Sequence, residues 1–171
     1  LPKRIEFFSK NDLKVIDAKC GDNFTIALTD DGDVWTWGYG EVLVKSKFFF
    51  SSKYALGHKE MKNRFTPTPI KFFRDQEIFV TRISAGHNFA TAFGIEGDLY
   101  NWGRGEYGVF GDCANKNYLE PVKNQMFLDF CAAEKKNVAK LKSANNYSMV
   151  LMDDGSLYGW GSNDFGQIGL R

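Results

Sequence analysis

Residues 101–111, "NWGRGEYGVFG", contain the spacing G-x-G-x-x-G at Gly103, Gly105 and Gly108. Between a strand and a helix, such glycines let backbone N–H groups approach a dinucleotide pyrophosphate. "NWG" reads as a strand end, but the following "VFGDCANKN" has no helical pattern, so tight turns are the expected role of these glycines. "TDDGDV" and "MDDGSL" cluster acids (Asp30, Asp31 and Asp33 in the first) in the manner of calcium loops, without the alternating ligand series or closing Glu. Asp and Gly are also what a hairpin turn requires, and a turn is the reading adopted. The two histidines, His58 and His87, stand near no nucleophile–base motif and no metal-ligand spacing. These residues imply no catalytic group, cofactor or metal site.

The most distinctive surface chemistry lies in 41–65, "EVLVKSKFFFSSKYALGHKEMKNRF". It sets Lys45, Lys47, Lys53, Lys59, Lys62 and Arg64 against Glu41 and Glu60, a local charge of +4 in a chain of net +1. Phe48, Phe49 and Phe50 sit among those charges, and three adjacent rings cannot all point one way. Some fold back onto the protein or are offered to a partner. The expected partner-binding set is Lys45, Lys47, Phe48, Phe49, Phe50, Lys53, Lys62 and Arg64, docking on an acidic protein surface or, as the less favoured reading, on nucleic acid. The competing reading is a loop packed on its own domain.

Composition bounds the class. The 171 residues suffice for one domain with a real core, and 16 Phe, 7 Tyr and 4 Trp suit strands and packed interfaces. No run approaches the length of a membrane span, and "LPKRIEFFSK" is not a signal peptide. Cys20, Cys113 and Cys131 are odd in number and widely spaced, which fits a reducing, intracellular compartment, cytoplasmic or nuclear.

The elements that position these residues come from an internal repeat. "CGDNFTIALTDDGDVWTWG" (20–38), "AGHNFATAFGIEGDLYNWG" (85–103) and "SANNYSMVLMDDGSLYGWG" (143–161) align without gaps. Each has an aromatic at its fifth place, a Gly at its thirteenth and a closing Trp-Gly. "TIALT" and "DVWTW" flank Asp-Gly, a hairpin signal of the type I′ kind, and both strand faces are apolar, so each hairpin must lie between neighbours. "VIDAKC" (15–20), "VTRISA" (80–85) and "VAKLKSA" (138–144) supply a further strand before each hairpin. Stacked short-strand sheets with a period near 60 point to a propeller, with a sandwich of irregular hairpins as the alternative. From the Trp to the end of its connecting segment is 9 residues in repeats two and three but 20 in repeat one, which places an insertion near 42–54. "NQMFLDFCAAEKKN" (124–137) has the spacing of a short helix lying over a blade edge.

The repeat resembles that of the regulator of chromosome condensation family, through "AGHNF", "DDG", "WGSNDFGQIG", Pro69-Ile70 and Pro121-Val122. The resemblance implies an all-β fold, a seven-bladed β-propeller of four-stranded antiparallel blades, of which about three are present. The expected organisation is 1–14 as the tail of a preceding unit, 15–79, 80–137, and an incomplete 138–171, in a piece of a longer protein. The Gly-Trp-Arg-His-Thr context of the family's light sensors is absent. The expected role is a non-catalytic interaction scaffold whose loops bind protein partners in a larger assembly, with no enzymatic activity. Two alternatives stand beside it. Founding family members are guanine-nucleotide exchange factors for a small Ran-like GTPase, and other propellers are appended to enzymes such as ubiquitin ligases.

Overall fold

The computed structural model describes residues 1–40 and 55–170. Three antiparallel sheets follow one another along the chain and do not close into a ring. The first is β1 (Val15–Cys20), β2 (Phe24–Thr29), β3 (Val34–Gly38) and β4 (Arg64–Pro69), paired in that order. The second repeats it with β5 (Val80–Ala85), β6 (Phe89–Gly94), β7 (Leu99–Gly103) and β8 (Tyr118–Lys123). The third has three strands, β9 (Val138–Ala144), β10 (Tyr147–Met152) and β11 (Leu157–Gly161). The register repeats as well: Ala27 faces Trp35, Ala92 faces Tyr100 and Val150 faces Tyr158.

The hairpin turns differ from the type I′ geometry expected. Gly32, Gly97 and Gly155 have φ near +85°, while the residues before them do not have positive φ. Gly32 N–H donates to Thr29 O (3.0 Å) and Thr29 N–H to Asp33 O (3.0 Å), a type I turn ending in a left-handed glycine and a bulge. The neighbouring acids serve this turn. Asp31 Oδ1 accepts from Thr29 Oγ1 (2.6 Å) and Asp33 N–H (3.2 Å), and Asp33 Oδ2 accepts from Arg74 Nε (2.8 Å).

A short helix precedes each sheet: α1 (Glu6–Lys10), α2 (Lys71–Asp75) and α3 (Gln125–Glu134). Each drives one phenylalanine against the Trp-Gly tryptophan of the blade that follows. Ring centroids lie 5.9 Å apart for Phe8–Trp37, 5.9 Å for Phe73–Trp102 and 5.7 Å for Phe127–Trp160. Such contacts add about 0.5–1.5 kcal/mol each beyond the area they bury. The main core lies between the first two blades, around Ile26, Leu28, Phe73, Ile83 and Trp102; a second, around Phe93, Leu141, Val150 and Met152, joins the second blade to the third. Trp102 Nε1–H donates to Ala55 O (2.9 Å) and Trp160 Nε1–H to Val109 O (2.8 Å), so each tryptophan also fastens a loop of the preceding blade.

Candidate functional site

Antiparallel connectivity gives the assembly two faces. One carries the β1–β2, β5–β6 and β9–β10 turns with the loops that leave β3, β7 and β11. The other carries the Asp-Gly turns and the three helices. The basic segment springs from the first, the loop face.

That face is built on a repeated backbone lattice. Tyr39, Arg104 and Ser162 each donate their N–H to the same carbonyl of the inner turn, Asn23 O, Asn88 O and Asn146 O, at 2.8 Å every time. The preceding Trp-Gly glycines pass so close that a Cβ on Gly103 would sit 2.5 Å from Asn88 O, at φ +106°. A Cβ on Gly105 would sit 1.9 Å from Lys116 O. Close packing of backbone therefore accounts for the first two glycines of the G-x-G-x-x-G spacing, and a three-residue 3-10 turn, Glu106–Gly108, stands where a phosphate-binding helix would have to begin. The inner turns are also tied across blades. Asp22 N–H donates to His87 O (3.0 Å), His87 N–H donates to Asn145 O (2.8 Å), and His87 Nε2 lies 3.6 Å from Asp22 Oδ2.

Both described ends of the basic segment are fixed in this lattice. Gly40, buried, donates its N–H to Asn63 Oδ1 (3.0 Å), as Gly105 donates to Asn117 Oδ1 (2.9 Å) in the next blade. Beyond the segment, Ala55 and Leu56 are buried, with Ala55 O held by Trp102 and Leu56 O accepting from Thr36 Oγ1 (2.7 Å). His58 Nε2 lies 2.9 Å from the same hydroxyl. Burial, aided by the Arg64 guanidinium, lowers the His58 pKa to about 4, so its ring is neutral near pH 7.

Of the residues expected to bind a partner, Lys45, Lys47, Phe48, Phe49, Phe50 and Lys53 lie outside the described residues. Lys62 and Arg64 are described, and both reach Glu60, with Lys62 Nζ to Oε2 and Arg64 Nη2 to Oε1 at 2.7 Å each. Lys59 pairs with Glu120 at 3.1 Å. Three of the six cations counted in the segment are therefore ion-paired, with two carboxylates between them.

Sequence reasoning overlooked an aromatic position on the same face. Tyr107 and Phe165 both stand five residues after the blade tryptophan, and they are 57% and 95% exposed. Its signal in the sequence is an aromatic five residues after the blade tryptophan in repeats two and three, where repeat one has Val42.

Residues 15–42 and 140–167 match one profile described as the regulator of chromosome condensation (RCC1) repeat, and residues 50–93 and 96–151 match another of the same description. The chain belongs to the RCC1 repeat family. Among curated relatives, the ultraviolet-B receptor UVR8 of Arabidopsis thaliana is 29% identical over 158 residues, 92% of this chain and 32% of the receptor. The human E3 ubiquitin-protein ligase HERC2 is 28% identical over 170 residues, 98% of this chain and 3% of the ligase. Among solved structures, Prp20p of Saccharomyces cerevisiae, described with its binding properties to Gsp1p and histones, superposes with a TM-score of 0.68 at 24% identity, over 92% of this chain and 34% of Prp20p. The same yeast RCC1 bound to Kap60 gives 0.69 at 21% identity, over 95% of this chain and 33% of that one. The chain thus spans about a third or less of each of these proteins, and the fold is a partial RCC1-type propeller.

These matches correct the expectation that the chain has no part in catalysis. It rested on the missing nucleophile, base and metal. Nucleotide exchange breaks no covalent bond and needs none of them, and the fold found here is shared with a protein described by its binding to Gsp1p. No helix among the described residues is long and apolar enough to cross a membrane. Cys20, Cys113 and Cys131 are all free.

Proposed function

We propose that this chain forms part of a propeller that accelerates guanine-nucleotide release from a small Ran-like GTPase. The observation that carries this reading is the anchoring of both ends of the basic, phenylalanine-rich segment on the loop face: Gly40 on one side, and Ala55 and Leu56 on the other, are buried and hydrogen-bonded. An exchange factor works by binding the nucleotide-free GTPase more tightly than the nucleotide-bound form. By linkage, the same factor weakens nucleotide binding. A stiff root matters because a segment that must first be ordered loses part of its binding free energy to that ordering.

In this reading Lys45, Lys47 and Lys53 meet acidic surface of the GTPase and Phe48, Phe49 and Phe50 supply the buried contact. Lys62 and Arg64, engaged by Glu60, shape the base of the segment. The setting is nuclear or cytoplasmic, which accords with three free cysteines. The test is release of a fluorescent GDP analogue from a panel of purified small GTPases, with full-length protein added. Acceleration with one member, lost on deleting residues 42–54, is the expected result. No acceleration across the panel, or an undiminished rate after the deletion, would overturn the proposal.

A second reading is a substrate-binding propeller of a larger ubiquitin ligase, supported by the match to HERC2 over 98% of this chain. It expects the loop face to capture a protein without changing its nucleotide release.

A further inference from the structure

The opposite, helix face differs between its two blade junctions in helix length, five residues in α2 against ten in α3, and at one residue position that lies over the turn glycine. Where the first blade meets the second, the ring of Phe79 lies over the glycine of the preceding Asp-Gly turn, 2.6 Å from where a Cβ on Gly32 would stand. Val80 N–H closes the junction by donating to Gly32 O (3.2 Å). The place of Phe79 is taken by Asn137 at the next junction. Its side chain turns to its own blade, with Nδ2 donating to Asp153 Oδ2 (2.9 Å) and the backbone N–H to Oδ1 (3.2 Å). Nothing lies within 4 Å of a Cβ position on Gly97, and no backbone bond joins Val138 to Gly97. With the longer α3 as one wall, this leaves an open cavity of about 720 Å³ between the Gly94–Gly97 turn, the start of β5 and the C-terminal half of α3.

Its walls have a definite chemistry. Leu128, Ala132 and Ile95, the last 63% exposed, make an apolar side. Arg82 and Lys135 stand at the rim, and neither meets a carboxylate among the described residues; Arg82 Nη1–H donates to Val138 O (3.0 Å). Glu96 is the acidic group of the lining, and Lys136 is held by Glu134 and Asp154.

We infer that this cavity is a docking site for a partner peptide that inserts one aromatic side chain and carries acidic residues on either side of it. The first junction is the template: the chain itself places a phenylalanine over the equivalent glycine. Arg82 and Lys135 select the flanking charge, because two rim cations favour carboxylates over ammonium groups. The inference concerns the helix face and does not depend on the exchange reading, which concerns the loop face.

The test measures fluorescence polarisation of a labelled Asp-Glu-Phe-Asp-Glu peptide on the full chain, beside peptides with Ala for Phe and with Lys for every acid. The first should bind, and each alteration should weaken it about tenfold or more. Asn137→Phe should close the site as Phe79 closes its counterpart, with a similar loss of binding. The paired Arg82→Gln and Lys135→Gln changes keep the cavity and should lower affinity, with a smaller salt dependence than the unaltered chain shows. Binding of the acidic peptide unaffected by both Asn137→Phe and the paired Gln changes would overturn the inference. So would no binding at millimolar peptide, or equal binding of a single-stranded oligonucleotide, which would make the rim a general anion contact.

Discussion

The tryptophan that closes the second repeat does two things, and replacing it by phenylalanine separates them. Trp102 is fully buried, stacks edge-on against Phe73, and donates from Nε1 to Ala55 O at 2.9 Å, while Ala55 is itself buried. Trp102→Phe removes part of a ring from a packed site, at a cost of about 1–2 kcal/mol. It also removes the donor that the described residues give to the buried Ala55 carbonyl, at about 1–3 kcal/mol. The sum is about 2–5 kcal/mol, or about 4–20 °C in Tm for a chain of this size. Trp35→Phe is the control. Trp35 is also buried and donates from Nε1 to Thr29 Oγ1 (3.2 Å), but that hydroxyl keeps Asp31 Oδ1 as a partner at 2.6 Å. With no group orphaned, its loss should be about 1–2 kcal/mol. Urea unfolding followed by tryptophan fluorescence and far-ultraviolet dichroism measures both. Equal destabilisation by the two variants, or a smaller effect at Trp102, would refute the claim that the Ala55 carbonyl depends on that one N–H.

Two further perturbations probe the scaffold. Asn124 is buried, accepts from Phe127 N–H at 3.0 Å as the cap of α3, and donates to Phe110 O at 2.7 Å, so Asn124→Ala should cost about 2–3 kcal/mol in urea unfolding. An effect below about 0.5 kcal/mol would show that the cap is not needed. His58, with a pKa lowered from 6.5 to about 4, resists protonation in the fold but not in the unfolded chain. Stability should therefore fall as pH drops from about 6.5 towards 4, by about 1–2 kcal/mol once solvent screening of this half-buried ring is allowed for. His58→Asn should flatten that part of the profile, and an unchanged slope would count against a neutral buried ring.

Much of the scaffold is legible in the letters, because each blade states the pattern again. "VIDAKC", "VTRISA" and "VAKLKSA" are β1, β5 and β9 residue for residue, and the helix expected within 124–137 is α3 at Gln125–Glu134. Repetition filters chance: a strand signal seen three times at one place in a unit is a property of the unit. Where single residues decide geometry, the letters mislead. Asp-Gly in "TDDGDV" suggested a two-residue type I′ turn, but the chain uses one more residue, leaving only the glycine left-handed and spending the acids on turn hydrogen bonds. The five-residue helices α1 and α2 were hidden because one turn and a half shows no periodicity. Their signature is instead the pair of phenylalanines in "IEFF" and "IKFF". The ion pairs that compensate Lys59, Lys62 and Arg64 also escaped, since Glu120 is remote in sequence and Glu60 was counted only as one charge in a sum.

The candidate sites lie where the repeats disagree, and there is a physical reason for this. Positions shared by all three blades are consumed by the assembly: the Trp-Gly glycine by a carbonyl 2.5 Å from its missing Cβ, and the helix phenylalanine by the next tryptophan. A residue so committed has no contact left to offer. A partner must therefore meet what one blade has and its neighbours lack. On the loop face that is the longer connection in sequence from the buried Gly40 to the buried Ala55. On the helix face it is the space over Gly97, which the preceding junction closes with Phe79 and this one leaves open because Asn137 binds Asp153. Exchanging the two residues, Phe79→Asn together with Asn137→Phe, should then shift the vacancy from Gly97 to Gly32 without altering any strand, though the five-residue α2 gives it a shorter wall than α3 does. Binding of the acidic aromatic peptide should not follow it, because Asp17 stands at the place in β1 that Arg82 holds in β5. Retained affinity in that double variant would mean that the peptide reads neither the vacancy nor the charge beside it.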